Sequence, residues 1–376
     1  MAAHRTLILV LSAAALAGQV PDTNGRNPAA EIPQLDHDAG LQPDDNDPDL
    51  PKLVCRIALF VQFNTDVPGA EKLARHALTL FTRNQALETA DGAACLITLA
   101  GLLEWKGQPK QAQQQLEHAL AIRERVLGRN HALVADTLNR LGMAYFYQGR
   151  IPEAERMQLR AVEILRMQAP SADLAAALNN LGSVLSAQGR AKEAEDRIRE
   201  ALSIWESMGG PDGPGVAQGL TNLAVLLQAR KQYDEAARAV NRARRIDEKA
   251  YPANHPRLAT DLNAAGVLAT ARKNYGEAEG LLLRAEAILE DSLSPQHPET
   301  GQVLLNLAEV YRLEKKLDQA RDTFKRGLAV VTSAWGLDDK RLPQWMEKLA
   351  EVLRTQQDFA GAEELEIRAT RIRVIR

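Results

Sequence analysis

Residues Leu178 to Glu195 read Leu-Asn-Asn-Leu-Gly-Ser-Val-Leu-Ser-Ala-Gln-Gly-Arg-Ala-Lys-Glu-Ala-Glu. Leu178, Leu181 and Leu185 fall on one face of a helix, at the spacing of 3.6 residues per turn. Gln188-Gly189-Arg190 then breaks the pattern, because glycine supplies the backbone freedom a tight turn needs. A second apolar series follows, through Ala194, Ile198, Ala201 and Leu202. Small residues (Gly182, Ala194, Ala201) stand where two helices would cross most closely, since larger ones would push the axes apart. The stretch predicts two antiparallel helices joined by a short turn.

The same hairpin recurs in both directions. A Leu-Gly or Leu-Ala pair marks each unit: Leu99-Ala100, Leu141-Gly142, Leu181-Gly182, Leu223-Ala224, Ala265-Gly266, Leu307-Ala308 and Leu349-Ala350, at steps of 42, 40, 42, 42, 42 and 42 residues. Thirteen positions after each anchor stands an alanine: Ala112, Ala154, Ala194, Ala236, Ala278, Ala320 and Ala362. Seven further on comes another small residue, Ala119, Ala161, Ala201, Ala243, Ala285, Gly327 or Ala369. The same ruler run backwards reaches Ile57, Ala70 and Ala77, a degenerate first unit of the kind that caps a repeat array. A unit of this size cannot bury its apolar face alone, so about eight hairpins stacked over residues 51–376 are expected.

These anchors resemble the tetratricopeptide repeat. The 42-residue period and the turns Asn130-His131, His255-Pro256 and His297-Pro298, each 32 residues past an anchor, look like the kinesin-light-chain type of that repeat. The resemblance covers residues 52 to 376. It implies an all-α, right-handed superhelical solenoid whose first helices line a concave groove, and a partner that is a protein or an extended peptide. The groove positions it implies lie two and one residues before each anchor: Asn139-Arg140, Asn179-Asn180, Thr221-Asn222, Asn263-Ala264, Leu305-Asn306 and Glu347-Lys348. Asparagine dominates there. An amide carries a donor and an acceptor together, so a row of Asn139, Asn179, Asn180, Asn222, Asn263 and Asn306 would bracket peptide bonds, with Arg140 and Lys348 adding charge at the two ends. The competing reading makes the same amides braces between neighbouring helices, at about 1 kcal/mol each.

Outside the array the chain has a different character. After Arg5, the largely apolar run Leu7–Ala17 ends in the small-x-small site Ala15-Leu16-Ala17, which reads as a secretion signal cleaved after Ala17. Eleven residues are too few for a bilayer, which takes about 20. Contact with a membrane is expected only if this segment stays attached. Residues 18–50 carry five prolines and eight acids against the single base Arg26, the composition of a disordered tether. The expected location is the periplasm or the cell exterior. Cys55 and Cys95 are the only cysteines, and an oxidising compartment permits one disulfide between them. They fall on first helices of adjacent units. Packed axes about 8–10 Å apart set against a Cα limit of about 7 Å leave that bond open.

Other chemistry is disfavoured. A net charge of −3 gives no field to draw nucleic acid, and 4% aromatics leaves little for base stacking. The glycine-rich Gly209–Gly215 lacks the lysine of a phosphate loop and reads as a flexible connection. His131, His255 and His297 recur at one corner of separate units, which suits helix starts and not one metal site. No nucleophile elbow or paired acid and base emerges, so neither a catalytic nor a cofactor site is expected, and no metal site. A second mode of action remains: self-assembly, including a homodimer, through residues 356–376, where Arg368, Arg371, Arg373 and Arg376 alternate with apolar residues and no polar helix follows.

Overall fold

The computed structural model describes residues 49–63 and 67–374. The signal segment 1–17 and nearly all of the expected tether lie outside them, as do residues 375–376. The described residues form sixteen α-helices and no strand: α1 Leu50–Phe63, α2 Val67–Arg83, α3 Ala90–Trp105, α4 Pro109–Leu127, α5 Ala132–Tyr147, α6 Ile151–Arg166, α7 Ala172–Ala187, α8 Ala191–Gly209, α9 Pro214–Ala229, α10 Tyr233–Ala250, α11 Pro256–Ala271, α12 Tyr275–Ser292, α13 Pro298–Leu313, α14 Leu317–Trp335, α15 Pro343–Thr355 and α16 Phe359–Val374. The fold is all-α, a solenoid of stacked hairpins.

The chain divides into two compact units: residues up to Trp105 with Lys110–Thr137, and Lys106–Pro109 with Leu138 onward. In the first, α1 packs on α2, α2 on α3, and α1 on α3. Its core gathers Val54, Cys55, Ala77, Leu80, Phe81 and Cys95. Cys55 and Cys95 are bonded, with Cα atoms 5.8 Å apart. Axis spacing was too coarse a guide, because Cα atoms sit about 2.3 Å off each axis and two that face each other are some 4–5 Å closer than the axes. In the second unit α7, α9, α11 and α13 each pack on their own second helix, on the second helix before them, and on the first helix of the next hairpin, as α9 does on α10, α8 and α11.

The small residues do the work their spacing implied. Every alanine thirteen positions past an anchor is fully buried. A Cβ added to Gly182 would lie 2.6 Å from Ile198 Cγ1 and 3.1 Å from the Ala194 carbonyl oxygen. Gly182→Ala is therefore expected to cost about 2 kcal/mol by forcing α7 and α8 apart, seen as a lower urea midpoint with unchanged helicity. An unaltered midpoint would show that the crossing is slack.

The turns within hairpins share one geometry. Gly107, Gly149 and Gly189 have positive φ, and so do Lys231, Lys273, Lys315 and Gln357 at the same register. The residue after each of the last six closes the helix by donating its N–H to the carbonyl five residues back, as Arg190 does to Leu185 and Asn274 to Ala269. This cap fixes a left-handed residue whatever its side chain, so the later turns lack the glycine that marks the earlier ones.

The three recurring histidines start helices. Nδ1 of His131, His255 and His297 accepts the backbone N–H of Leu133, Arg257 and Glu299 at 3.1, 3.2 and 3.2 Å, and Pro256 and Pro298 follow at the first helical position. Gly209–Gly215 is more than a loose connection: a Cβ on Gly215 would sit 2.7 Å from the Trp205 indole, so that glycine makes room for the ring.

Candidate functional site

The asparagine positions fall on the first helices of the second unit, and the structure links most of them to each other. Asn180 Nδ2 donates to Asn139 Oδ1 at 2.9 Å, joining α7 to α5. Asn222 Nδ2 donates to Asn179 Oδ1 at 3.1 Å, joining α9 to α7. Asn306 Nδ2 donates to Asn263 Oδ1 at 2.8 Å, joining α13 to α11. The rule is regular: the asparagine one residue before an anchor reaches back to the one two residues before the preceding anchor.

These contacts change the role expected of individual residues. Asn179 has no exposed surface, so it braces α7 against α9 and does not line an open face. Asn180 keeps 9% of its surface, and Asn139, Asn222, Asn263 and Asn306 are half-buried. Asn180 and Asn222 each spend one N–H on the neighbouring helix, which leaves the side-chain carbonyl and the second N–H for something else. Asparagine is a poor helix former in mid-helix, and the inter-helix bond is what offsets that cost here.

The row is interrupted twice. Between α9 and α11 the two positions are Thr221 and Ala264, and no amide pair forms. Thr221 Oγ1 instead approaches Asp261 Oδ1 at 2.6 Å. Between α13 and α15 a charged contact takes over: Lys348 Nζ lies 3.1 Å from Glu309 Oε1 and 4.7 Å above the Trp345 ring. Arg312 completes that cluster with two bonds to Glu309, at 2.7 and 3.0 Å, and one to Glu351 at 2.9 Å. Burial raises the Glu309 carboxyl, but Arg312 and Lys348 outweigh it and hold the group below the ordinary carboxylate range. The positive charge read at this end of the row is thus neutralised by its neighbours, and Arg354 is likewise paired with Glu366. At the other end Arg140 is exposed.

Between those ends lies a strip without charge. One turn from the asparagines stand Ala176 and Ser183 on α7, Gln218 and Val225 on α9, and Thr260 and Val267 on α11. Apart from Asp173 and Arg257 in the first turns and the buried Asp261, these three helices contain no Asp, Glu, Lys or Arg. Val225 is 49% exposed. Short neutral side chains let another backbone come close, and the unused amide groups offer it hydrogen bonds.

Sequence reading missed two buried polar clusters. Arg123, almost fully buried on α4, donates to the Leu133 carbonyl, to Asp136 Oδ2 and to Thr137 Oγ1 at 2.7, 3.0 and 2.8 Å. Asp247 on α10 and Asp261 on α11 are both fully buried. Arg123 and Asp247 occupy one register of the second helix, 24 residues past the anchor, where Leu165, Leu289 and Val331 stand in other units. That departure from an apolar register was the available signal.

The tetratricopeptide-repeat family profile matches residues 92–167, 173–249 and 256–333. No curated protein matches the chain. Among solved structures, the Rap protein complexed with Competence and Sporulation Factor is 17% identical, with a TM-score of 0.59 over 86% of this chain and 98% of its own. The APC/C hetero-tetramer Cut9-Hcn1 is 15% identical, with a TM-score of 0.58 over 87% of this chain and 54% of the other. BtubC (BKLC) from P. vanneervenii is 20% identical, with a TM-score of 0.46 over 61% and 91%.

Proposed function

Since the chain belongs to the tetratricopeptide-repeat family, we propose that it is an exported interaction scaffold that holds an extended, uncharged stretch of polypeptide on α7, α9 and α11. The observation that carries this reading is the charge-free strip beside amides that are only half used. A surface with no charge to match selects through main-chain hydrogen bonds and shape, which suits an extended peptide with small side chains. Two structures of similar fold are complexes, the Rap protein with Competence and Sporulation Factor and the hetero-tetramer Cut9-Hcn1. Export is supported by the Cys55–Cys95 bond, because disulfides persist in oxidising compartments, and by the apolar run at Leu7–Ala17.

Selection of displayed random peptides on the full chain tests this. Recovered sequences are expected to be uncharged, and Ser183→Glu with Val225→Glu is expected to weaken them at least about tenfold while helicity holds. Equal binding by the doubly substituted chain would place the ligand elsewhere.

A second reading, self-assembly through α16, has its own observation. Phe359, Ile367 and Val374 are 60%, 62% and 72% exposed on that helix. A concentration-dependent dimer that vanishes on deletion of 356–376 would favour it.

A further inference from the structure

We propose that Asp247 and Asp261 share one proton at the junction of α10 and α11, and that loss of this proton loosens the chain where the amide row is interrupted. In four other units the corresponding junction positions carry apolar or small residues: Leu165 with Ala177, Trp205 with Gly219, Leu289 with Val303, Val331 with Trp345; in a fifth Arg123 donates to Thr137. Here both are aspartates, and both are fully buried.

The partners do not suffice for two negative charges. Among the described residues one guanidinium, that of Arg257, bonds the pair: its Nε and Nη2 lie 3.3 and 3.1 Å from Asp247 Oδ2. Asp261 Oδ1 has the Thr221 hydroxyl, whose single hydrogen is also within reach of the Ala217 carbonyl at 3.1 Å. Asp247 Oδ1 and Asp261 Oδ2 are buried and accept from no donor of the protein. A proton on Asp261, given to Asp247, satisfies both oxygens at once and removes the like-charge repulsion. Burial is the main cause that pushes the Asp261 carboxyl up to about 7, helped by the Asp247 charge and opposed by Thr221 and Arg257.

The other groups around the pair are separable from it by sign or by variant. Thr221 is the contributor from α9. His255 and Tyr251 stack at 4.2 Å beside the start of α11, and burial lowers the His255 pKa. Glu299 on α13 feels the Arg257 charge, and its carboxyl is raised chiefly by burial. A raised acid makes the folded state hold a proton that the unfolded chain gives up. Its stabilisation is complete below about pH 4 and is lost as pH climbs to about 7. A lowered histidine acts with the opposite sign, gaining stability as pH rises toward about 6.5 and changing little above it, so the direction of the slope separates His255 from Asp261. Glu299 has the same sign as Asp261 and needs its own variant.

Thermal melts of the full chain at about pH 5 and about pH 8 test the proposal, with Asp261→Asn as the main variant. The amide supplies an N–H to Asp247 at every pH. The variant is expected to match the wild type at the lower pH and to melt about 5 °C above it at the higher one. Unfolding at about pH 6 should release about one proton more from the wild type than from the variant. Should Asp261→Asn fail to fold, Asp261→Val, which copies Val303 at the same register, is expected to give the same flat profile. Glu299→Gln should keep the wild-type slope. A wild-type slope in both Asp261 variants overturns the shared proton. So does Asp261→Asn melting at or below the wild type at the higher pH, or a Glu299→Gln variant that flattens the profile.

Discussion

Reduction of the Cys55–Cys95 bond is expected to release the first hairpin, with a loss of about 4 kcal/mol of stability. The bond closes a loop of 40 residues, and removing such a link restores to the unfolded chain the freedom that loop closure took away. The effect falls on α1 and α2 because, among the described residues, the first hairpin has a neighbouring hairpin on one side only. Hydrogen exchange with and without reductant measures it: the amides of Leu50–Phe63 and Val67–Arg83 should lose protection first, while those from α7 onward stay slow. The Cys55→Ala/Cys95→Ala chain should behave like the reduced protein and be about 1 kcal/mol weaker still, since Cys95 is fully buried and a smaller side chain leaves a gap. Thiol titration of the unfolded, unreduced chain should find no free thiol. Two free thiols there, or protection of α1 unchanged by reductant, would remove the bond from the account of this fold.

The second large effect belongs to the asparagine row. Replacing Asn180, Asn222 and Asn306 by alanine together is expected to lower stability by about 3 kcal/mol and peptide binding at least about tenfold. Each substitution deletes a donor and leaves Asn139, Asn179 or Asn263 with an unmet carbonyl oxygen at a helix contact. An orphaned acceptor of that kind costs about 1–3 kcal/mol, and the better helix propensity of alanine returns about 0.6 of it at each site. The two effects are separable. Ser183→Glu and Val225→Glu lie on the same faces, touch no inter-helix bond and should weaken binding with little change in stability. If the triple variant melts like the wild type yet stops binding, the amides serve the ligand alone and the inter-helix bonds contribute nothing. If it loses stability and binds normally, they are braces, and the α16 face becomes the leading docking surface.

The sixteen helices and the period that pairs them were legible in the chain itself. Helix and turn signals are local: Leu181, Gly182 and Ala194 speak for one crossing of two helices, and the same three positions repeat down the array. The histidine at the start of α11 and α13 was legible for the same reason, since a cap involves residues two apart. Arg123 and Asp247 break an apolar register, a signal that the sequence reading passed over, and nothing in the sequence says what they would meet.

What the tertiary structure alone decided are contacts between residues some forty positions apart. Cys55 and Cys95 are 40 apart, Asn139 and Asn180 are 41, Asn179 and Asn222 are 43, and Thr221 and Asp261 are 40. Each is one repeat away from its partner, so the register brings them to the same height without saying whether their side chains face. That depends on the small rotation of one hairpin against the next, which is set by how all the buried side chains of both units pack together. The rotation turned Asn179 inward and closed Cys55 onto Cys95. It also brought two carboxylates, each unremarkable in its own helix, into one buried site where Arg257 bonds Asp247.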